Sequence, residues 1–247
     1  MTVRSNKSIS LILPVYNEIN LLENAVGRCL SALSENFADF EVILVDDGST
    51  DGISGLLQSL EKRNEKLKVL YNIVNLNVGI AVQRGLMSAR CDYVVHNAVD
   101  LPLAPEDIVK VMEEIDNSDV LVLQRSTYAG YIKWRIVTSL LNRVFLKVLF
   151  PGAVKGIFDM NYTQVYRKAI LPEIIPLAKS PAFTTPEMII RAKYLNLNVK
   201  TIIAEYKPRI SGKGAFGRPH DILWSLYDMF RFRIKLWYNR SKTLYRK

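Results

Sequence analysis

With 247 residues, 49% of them hydrophobic, the chain carries enough apolar material to bury a full core, and its length suits one large α/β domain. No run of eighteen apolar residues occurs, and the opening MTVRSNKS has no apolar signal region, so neither a spanning helix nor a secretory leader is expected and the chain is placed in the cytoplasm. The formal charge of +9 is uneven: residues 221–247 hold seven Lys or Arg against two Asp, yet no nucleic-acid-binding motif accompanies them, so no nucleic-acid partner is expected.

In chain order, SISLILP reads as a first strand, and Leu22, Ala25, Val26, Cys29, Leu30 and Leu33 follow at helical spacing. EVILVDDG is a second strand, followed by a short helix, the strand KVLY, a helix from Gly79 and a strand that ends at Asp100. Strands alternating with helices predict a mostly parallel, doubly wound α/β sheet. Ligands bind such sheets beyond the strand C-termini. Cys29 and Cys91 lie in apolar patterns without a CxxC or histidine-rich neighbourhood, which makes them reduced core residues.

The loops after the strands are rich in polar groups. PVYNE breaks the first strand at Pro14 and presents Tyr16, Asn17 and Glu18 at the sheet edge. In VDDGSTDG, Asp46 and Asp47 end the second strand, Gly48 permits a tight turn, and Ser49 and Asp51 can cap the next helix. Capping accounts for one Asp or Ser. Two adjacent carboxylates are costly unless a ligand's hydroxyls or amides use them.

Further along, Arg125 follows a fifth strand. In YIKWRIVTSLLNRVFLKVLF, Trp134, Val137, Leu141, Val144, Phe145 and Val148 share one helical face, while Arg135, Ser139 and Arg143 share another at spacings of four. That apolar face either packs inside the protein or lies on a membrane. Asp159 stands in a loop, and Glu187 opens a helix after FTTP, where its carboxylate either favours the helix N-terminus or meets a ligand. Residues 207–219 form a basic, glycine-rich stretch with Arg209 and Lys213, either a loop that closes over a bound anion or a plain surface loop. Residues 1–220 are expected to form the main domain. Residues 221–247, with Trp224, Tyr227, Phe230, Phe232, Trp237 and Tyr238 among basic groups, form either a docked terminal helix or a membrane-interfacial segment.

LILPVYNE, VDDGSTDG, NVGIAVQRGLMSA and VDLPLAPED together resemble the family 2 glycosyltransferases. The resemblance implies a nucleotide-sugar-binding α/β fold, called GT-A, with Pro14, Tyr16, Glu18 and Asp47 on the base and ribose and Asp46 beside them. It also implies Mg²⁺ or Mn²⁺ on an Asp-x-Asp pair at the end of the fourth strand. Here Asp100 matches the second Asp, Ala98 stands at the first, and Pro102 replaces a frequent polar ligand. The expected metal site is therefore weak, with Asp100 and the donor diphosphate holding the ion together.

The second half is similar to the polyprenyl-phosphate glycosyltransferases. This implies a lipid-phosphate acceptor near Arg125, Arg135, Ser139, Asp159, Glu187, Arg209 and Lys213. Phosphate monoesters titrate near pH 6, so such an acceptor is already an anionic nucleophile at neutral pH and needs no base. Neither His96 nor His220 sits where a family base would. An alcohol acceptor would need one, and Asp159 is then the best candidate. The expectation is an inverting transfer of a hexose from a nucleoside-diphosphate sugar to a polyprenyl phosphate, at the cytoplasmic face of a membrane. The rivals are transfer to a saccharide or glycolipid hydroxyl, and a nucleotide-sugar-binding module without turnover. Oligomeric state is left open.

Overall fold

The computed structural model describes residues 4–127, 133–206 and 219–244. The first half runs β1 (Ile9–Val15), α1 (Ile19–Asn36), β2 (Phe40–Asp46), α2 (Ile53–Arg63), β3 (Leu67–Tyr71), α3 (Val78–Ser88) and β4 (Tyr93–His96). The second half has α4 (Ile108–Glu113), β5 (Val120–Arg125), α5 (Lys133–Leu149), β6 (Gln164–Arg167), α6 (Leu171–Ile174), α7 (Thr184–Tyr194), β7 (Val199–Ala204) and α8 (Pro219–Leu244).

The strands make one seven-stranded sheet in the order β3-β2-β1-β4-β6-β5-β7. β1, β2, β3 and β4 are parallel, as the alternation of strands and helices predicts. β6 runs antiparallel between β4 and β5, and β7 returns parallel to β5. The fold is thus mixed α/β with a mostly parallel sheet, and β6 is its one reversal among the described strands.

Successive residues of a strand face opposite layers, and β1 feeds both cores. Leu11 and Leu13 join Leu22, Cys29 and Leu33 of α1, whereas Ile12 joins Val82 of α3 and, farther along the same layer, Phe150, Phe183 and Phe232. Gly85 lets α3 ride directly on the sheet, because a Cβ there would lie 2.4 Å from Ile12 Cγ2. Cys29 and Cys91 are buried free thiols.

Two helices are amphipathic across the protein surface. α8 buries Ser225, Asp228, Met229 and Phe232, the last against the Phe150 and Phe183 rings at centroid distances of 5.8 Å each. Its opposite side exposes Leu223, Trp224, Tyr227, Phe230, Ile234 and Trp237. The helix is therefore docked on one face and apolar toward solvent on the other. α5 packs beside it and exposes Trp134, Val137, Leu141, Val144 and Val148, most of the predicted apolar face, while Phe145 is half-buried. No helix among the described residues is long and apolar enough to cross a membrane.

Candidate active site

The C-terminal ends of β1, β2, β3 and β4 lie side by side, which brings their loops together on one edge. The first two are sewn to each other. Asn17, in the left-handed region at φ 55°, donates its N–H to Ser49 Oγ at 3.0 Å and accepts Thr50 N–H on Oδ1 at 2.7 Å. Asp51 Oδ2 accepts the N–H of Ile19, the first residue of α1, at 3.0 Å. Ser49 and Asp51 were expected to cap α2. Ser49 binds the β1 loop instead, while Asp51 chiefly caps α1 and makes only a longer 3.3 Å contact to Ile53 N–H at the start of α2. This lacing presents Tyr16 to solvent at 44% exposure, with Pro14 and Glu18 half-buried beside it.

Asp46 and Asp47 are both buried, and the protein's own donors meet both. Asp46 Oδ1 accepts Ser49 N–H at 3.0 Å, so it closes the turn, a role that needs no ligand. Asp47 Oδ1 accepts Asn72 Nδ2 at 2.6 Å and Leu76 N–H at 2.9 Å. Burial raises the Asp47 pKa, the bonds from Leu76, Asn72 and Asn77 pull it down, and the Asp46 charge raises it further, with a net upward shift. Gly48 makes this geometry possible. Its φ is +72°, and a Cβ there would come within 2.4 Å of the Val74 carbonyl carbon.

Two members of this network, Asn72 and Arg84, were not expected from sequence. Arg84 donates to Tyr71 O at 2.7 Å and to Asn72 Oδ1, which turns the Asn72 amide toward Asp47. Signals for both existed. Asn72 directly follows β3, a strand-end position, and Arg84 lies in the second turn of α3, the helix that follows the same loop.

β4 stops at His96, four residues short of the predicted end at Asp100. Beyond it, burial still alternates: Asn97 and Val99 are buried, Ala98 is exposed and Asp100 is half-buried. Asn97 turns inward and donates Nδ2 to Leu103 O at 2.8 Å, so it does not substitute for the first Asp. Among the described residues no three or more His, Cys, Asp or Glu side chains are grouped to hold a metal ion. One outward carboxylate fits Mg²⁺ or Mn²⁺ only where diphosphate oxygens and water complete the shell.

Arg125 and Asp159, expected as catalytic groups, are buried against each other. Arg125 Nε donates to Asp159 Oδ2 at 2.5 Å and Nη2 to Oδ1 at 2.9 Å, and the guanidinium lies 5.7 Å from each of the Tyr162 and Tyr206 ring centroids. A carboxylate held this way is a poor general base. Glu187, expected to touch substrate or a helix end, is 1% exposed. It lies in the first turn of α7, accepts the N–H groups of Leu177 and Ala178 at 3.0 and 2.7 Å and pairs with Arg191 at 2.6 Å, so its carboxylate orders a loop.

Ser139 lines a shallow, solvent-open cleft between α5 and residues 154–161, together with Asn142, Arg143, Lys147, Asp159 and Asn161. Arg135 belongs to α5, but its side chain lies outside the described residues, as do Arg209 and Lys213. His96 ends β4 with Nδ1 buried and unpartnered, and burial lowers its pKa to about 4.

The family model described as Glycosyl transferase family 2 matches residues 10–174. Undecaprenyl-phosphate 4-deoxy-4-formamido-L-arabinose transferase of Pseudomonas fluorescens is 33% identical over 227 residues, which cover 90% of this chain and 63% of that protein. The protein of the same name from Aeromonas hydrophila is 34% identical over 230 residues, covering 90% and 67%. The chain thus spans about two thirds of the length of these relatives. Among solved structures, glucosyl-3-phosphoglycerate synthase from Mycobacterium tuberculosis superposes with a TM-score of 0.69 at 18% identity, covering 91% of this chain and 79% of that one. Its complex with Mn²⁺, UDP and glucosyl-3-phosphoglycerate gives 0.67 at 20% identity, covering 92% and 80%. At this identity the likeness shows the fold, which is GT-A.

Proposed function

The chain belongs to glycosyl transferase family 2 and is a glycosyltransferase, and from that premise we propose that it moves a sugar from a nucleoside diphosphate to a polyprenyl phosphate on a membrane surface, with inversion. The observation that carries the acceptor class is on α5. Ser139, Asn142, Arg143 and Lys147 line the open cleft, and Leu140, Leu141, Val144 and Val148 of the same helix are exposed beside it. A cleft lined by Arg143 and Lys147, whose one carboxylate, Asp159, is paired with Arg125, and bordered by an apolar stripe suits a phosphate head with a prenyl tail. The names of the two relatives, both undecaprenyl-phosphate transferases, support the same reading.

On the donor side, Tyr16 and Glu18 would flank the base while Asp47, fixed by Asn72 and Leu76, would accept from the nucleotide. Asp100 would hold a divalent ion jointly with the diphosphate, and that ion would neutralise charge on the leaving group. The rest follows from the acceptor's own chemistry. A phosphate oxygen, already anionic at neutral pH, attacks the anomeric carbon from the face opposite the diphosphate, and the nucleoside diphosphate leaves with the bonding pair. No protein base is required. Transfer to a hydroxyl would require one, and Asp159, the candidate, is engaged by Arg125. The cytoplasmic face of the membrane as the place of reaction belongs to the same proposal; the hexose expected from sequence has no support in the relatives' names, which give an L-arabinose derivative, a pentose.

Incubation of purified protein with a panel of radiolabelled nucleotide sugars and undecaprenyl phosphate, followed by solvent extraction, tests the proposal. Label in the lipid phase with released nucleoside diphosphate is the expected result. Label transferred only to soluble saccharides, or nucleotide binding without turnover, would replace it.

A further inference from the structure

We propose that Asp228 is a positioning residue for the donor site, acting from α8 through the backbone of residues 176–180. The inference rests on the donor reading given above.

Asp228 lies on a helix whose neighbouring residues Tyr227 and Phe230 are exposed, yet it is itself 7% exposed. Its Oδ2 accepts the backbone N–H groups of Lys179 at 3.1 Å and Ser180 at 3.0 Å. Burying a carboxylate is costly unless hydrogen bonds offset it, and these two amides do so. The two preceding amides, Leu177 and Ala178, are held in the same manner by Glu187 of α7. Four successive N–H groups are therefore clamped by carboxylates from two helices.

The carbonyl side of this clamped segment bears on α3. Pro176 O accepts Gln83 Nε2 at 3.1 Å. Lys179 O and Ala178 O occupy the place of a side chain at Gly79, where a Cβ would lie 2.7 and 2.8 Å from them. No slack is left between the segment and the first turn of α3. Just before that turn, Leu76 donates its N–H to Asp47, and from the second turn Arg84 reaches Asn72, the other donor to the same Asp47 oxygen. From α8 to the donor carboxylate every link is thus a hydrogen bond or a backbone contact, a contiguous network of the kind that transmits displacement. Asp228 touches no substrate position. It fixes where α3 stands, and α3 fixes the direction in which the Asp47 carboxylate is presented.

Hydrogen exchange by mass spectrometry on the full chain decides this without any ligand. In Asp228→Ala, peptides spanning 176–181 and 74–80 should both exchange faster than in wild type, while peptides in β1 keep their rates. Asp228→Asn, which retains an acceptor oxygen, should fall between. Calorimetry with UDP and Mn²⁺ as the probe should show affinity weakened about five-fold or more in Asp228→Ala. In turnover, KM for the donor should rise with kcat held within about two-fold and KM for the lipid unchanged, the pattern of lost ground-state binding. Faster exchange confined to 176–181, or spread evenly over the whole chain, overturns the proposal. So does unchanged UDP affinity in a wild type that binds UDP. If Asp228→Ala does not fold, Asp228→Asn and Gln83→Leu, which loosens the other end of the same segment, must both accelerate exchange in 74–80. Absence of sugar transfer by wild type would defeat the proposed function and leave the exchange result standing.

Discussion

Arg125 and Asp159 meet in a two-point pair, Nε to Oδ2 at 2.5 Å and Nη2 to Oδ1 at 2.9 Å, with both side chains buried. The pair ties the end of β5 to the loop before β6, because Asp159 Oδ2 also accepts the Arg125 N–H at 3.4 Å. Removing one member strands a buried charge. Asp159→Ala should cost about 3 to 5 kcal/mol in urea unfolding, and Arg125→Met with Asp159→Leu should recover most of that loss. A cost below about 1 kcal/mol would show that the pair is not structural.

Asp47 combines a cost in stability with a use in binding. Its folded pKa is raised chiefly by burial. Ionised Asp47 therefore destabilises the ligand-free fold at neutral pH, and that penalty disappears below the unfolded carboxylate pKa of about 3.9. Asp47→Asn should unfold at higher urea than wild type at pH 7, and the gap should close as pH falls below 4. The same variant should bind nucleoside diphosphate several-fold more weakly, since a hydrogen bond to a charged group is worth about 1.5 to 3 kcal/mol.

Asp100 has Ala98 beside it on the outward side of its loop. Asp100→Asn should lower turnover by about 3 to 4 kcal/mol of transition-state stabilisation, the usual loss at a leaving-group charge. Ala98→Asp should tighten Mn²⁺ binding in the presence of nucleotide and keep activity. Turnover that persists in excess chelator, with Asp100→Asn silent, would remove the ion from the reaction.

His96 carries a pH signature. Burial lowers its pKa from 6.5 to about 4. The stability associated with the neutral ring is complete above pH 6.5 and is lost as pH falls toward 4, because the unfolded chain takes up the proton first. The loss should reach up to about 3 kcal/mol. His96→Gln should flatten that slice of the melting-temperature profile between pH 6.5 and 4. An identical profile in the variant would place the titration elsewhere.

The outward faces of α5 and α8 should bind anionic vesicles. Phe232, 5% exposed, belongs to the docked side of α8, packed on Phe150 and Phe183, so the binding face is tested by point substitution. Ile234→Glu and Trp237→Glu change exposed positions only. Together they should abolish flotation with phosphatidylglycerol vesicles while leaving the unfolding midpoint within about 0.5 kcal/mol of wild type.

The parallel half of the sheet was legible because strands buried on both faces read as continuous apolar runs, as in ISLILPV and FEVILVD. The clustering of Tyr16, Asp47 and Asp100 at one edge followed from the rule for strand ends. Partnerships across long separations were not legible. Arg125 with Asp159, Asp228 with Lys179 and Asn72 with Asp47 are joined by tertiary packing that leaves no periodicity in the chain. The partners of Glu187 were hidden for the same reason. Its position at a helix start is visible in sequence, whereas the loop amides that surround it are not.

The reversed strand β6 has a consequence for synthesis. β1, β2, β3 and β4 are complete once residue 96 has emerged, and they can pair as a four-stranded sheet with α1 and α3 on its faces. β4 then offers a bare edge until Gln164–Arg167 arrive, since β5 pairs in the finished sheet with β6 and β7 and not with β4. An unpaired apolar edge of this kind invites association between nascent chains. Substitutions that slow the insertion of β6, such as a proline at Val165, should therefore reduce the yield of soluble protein during translation far more than they slow refolding of the dilute purified chain.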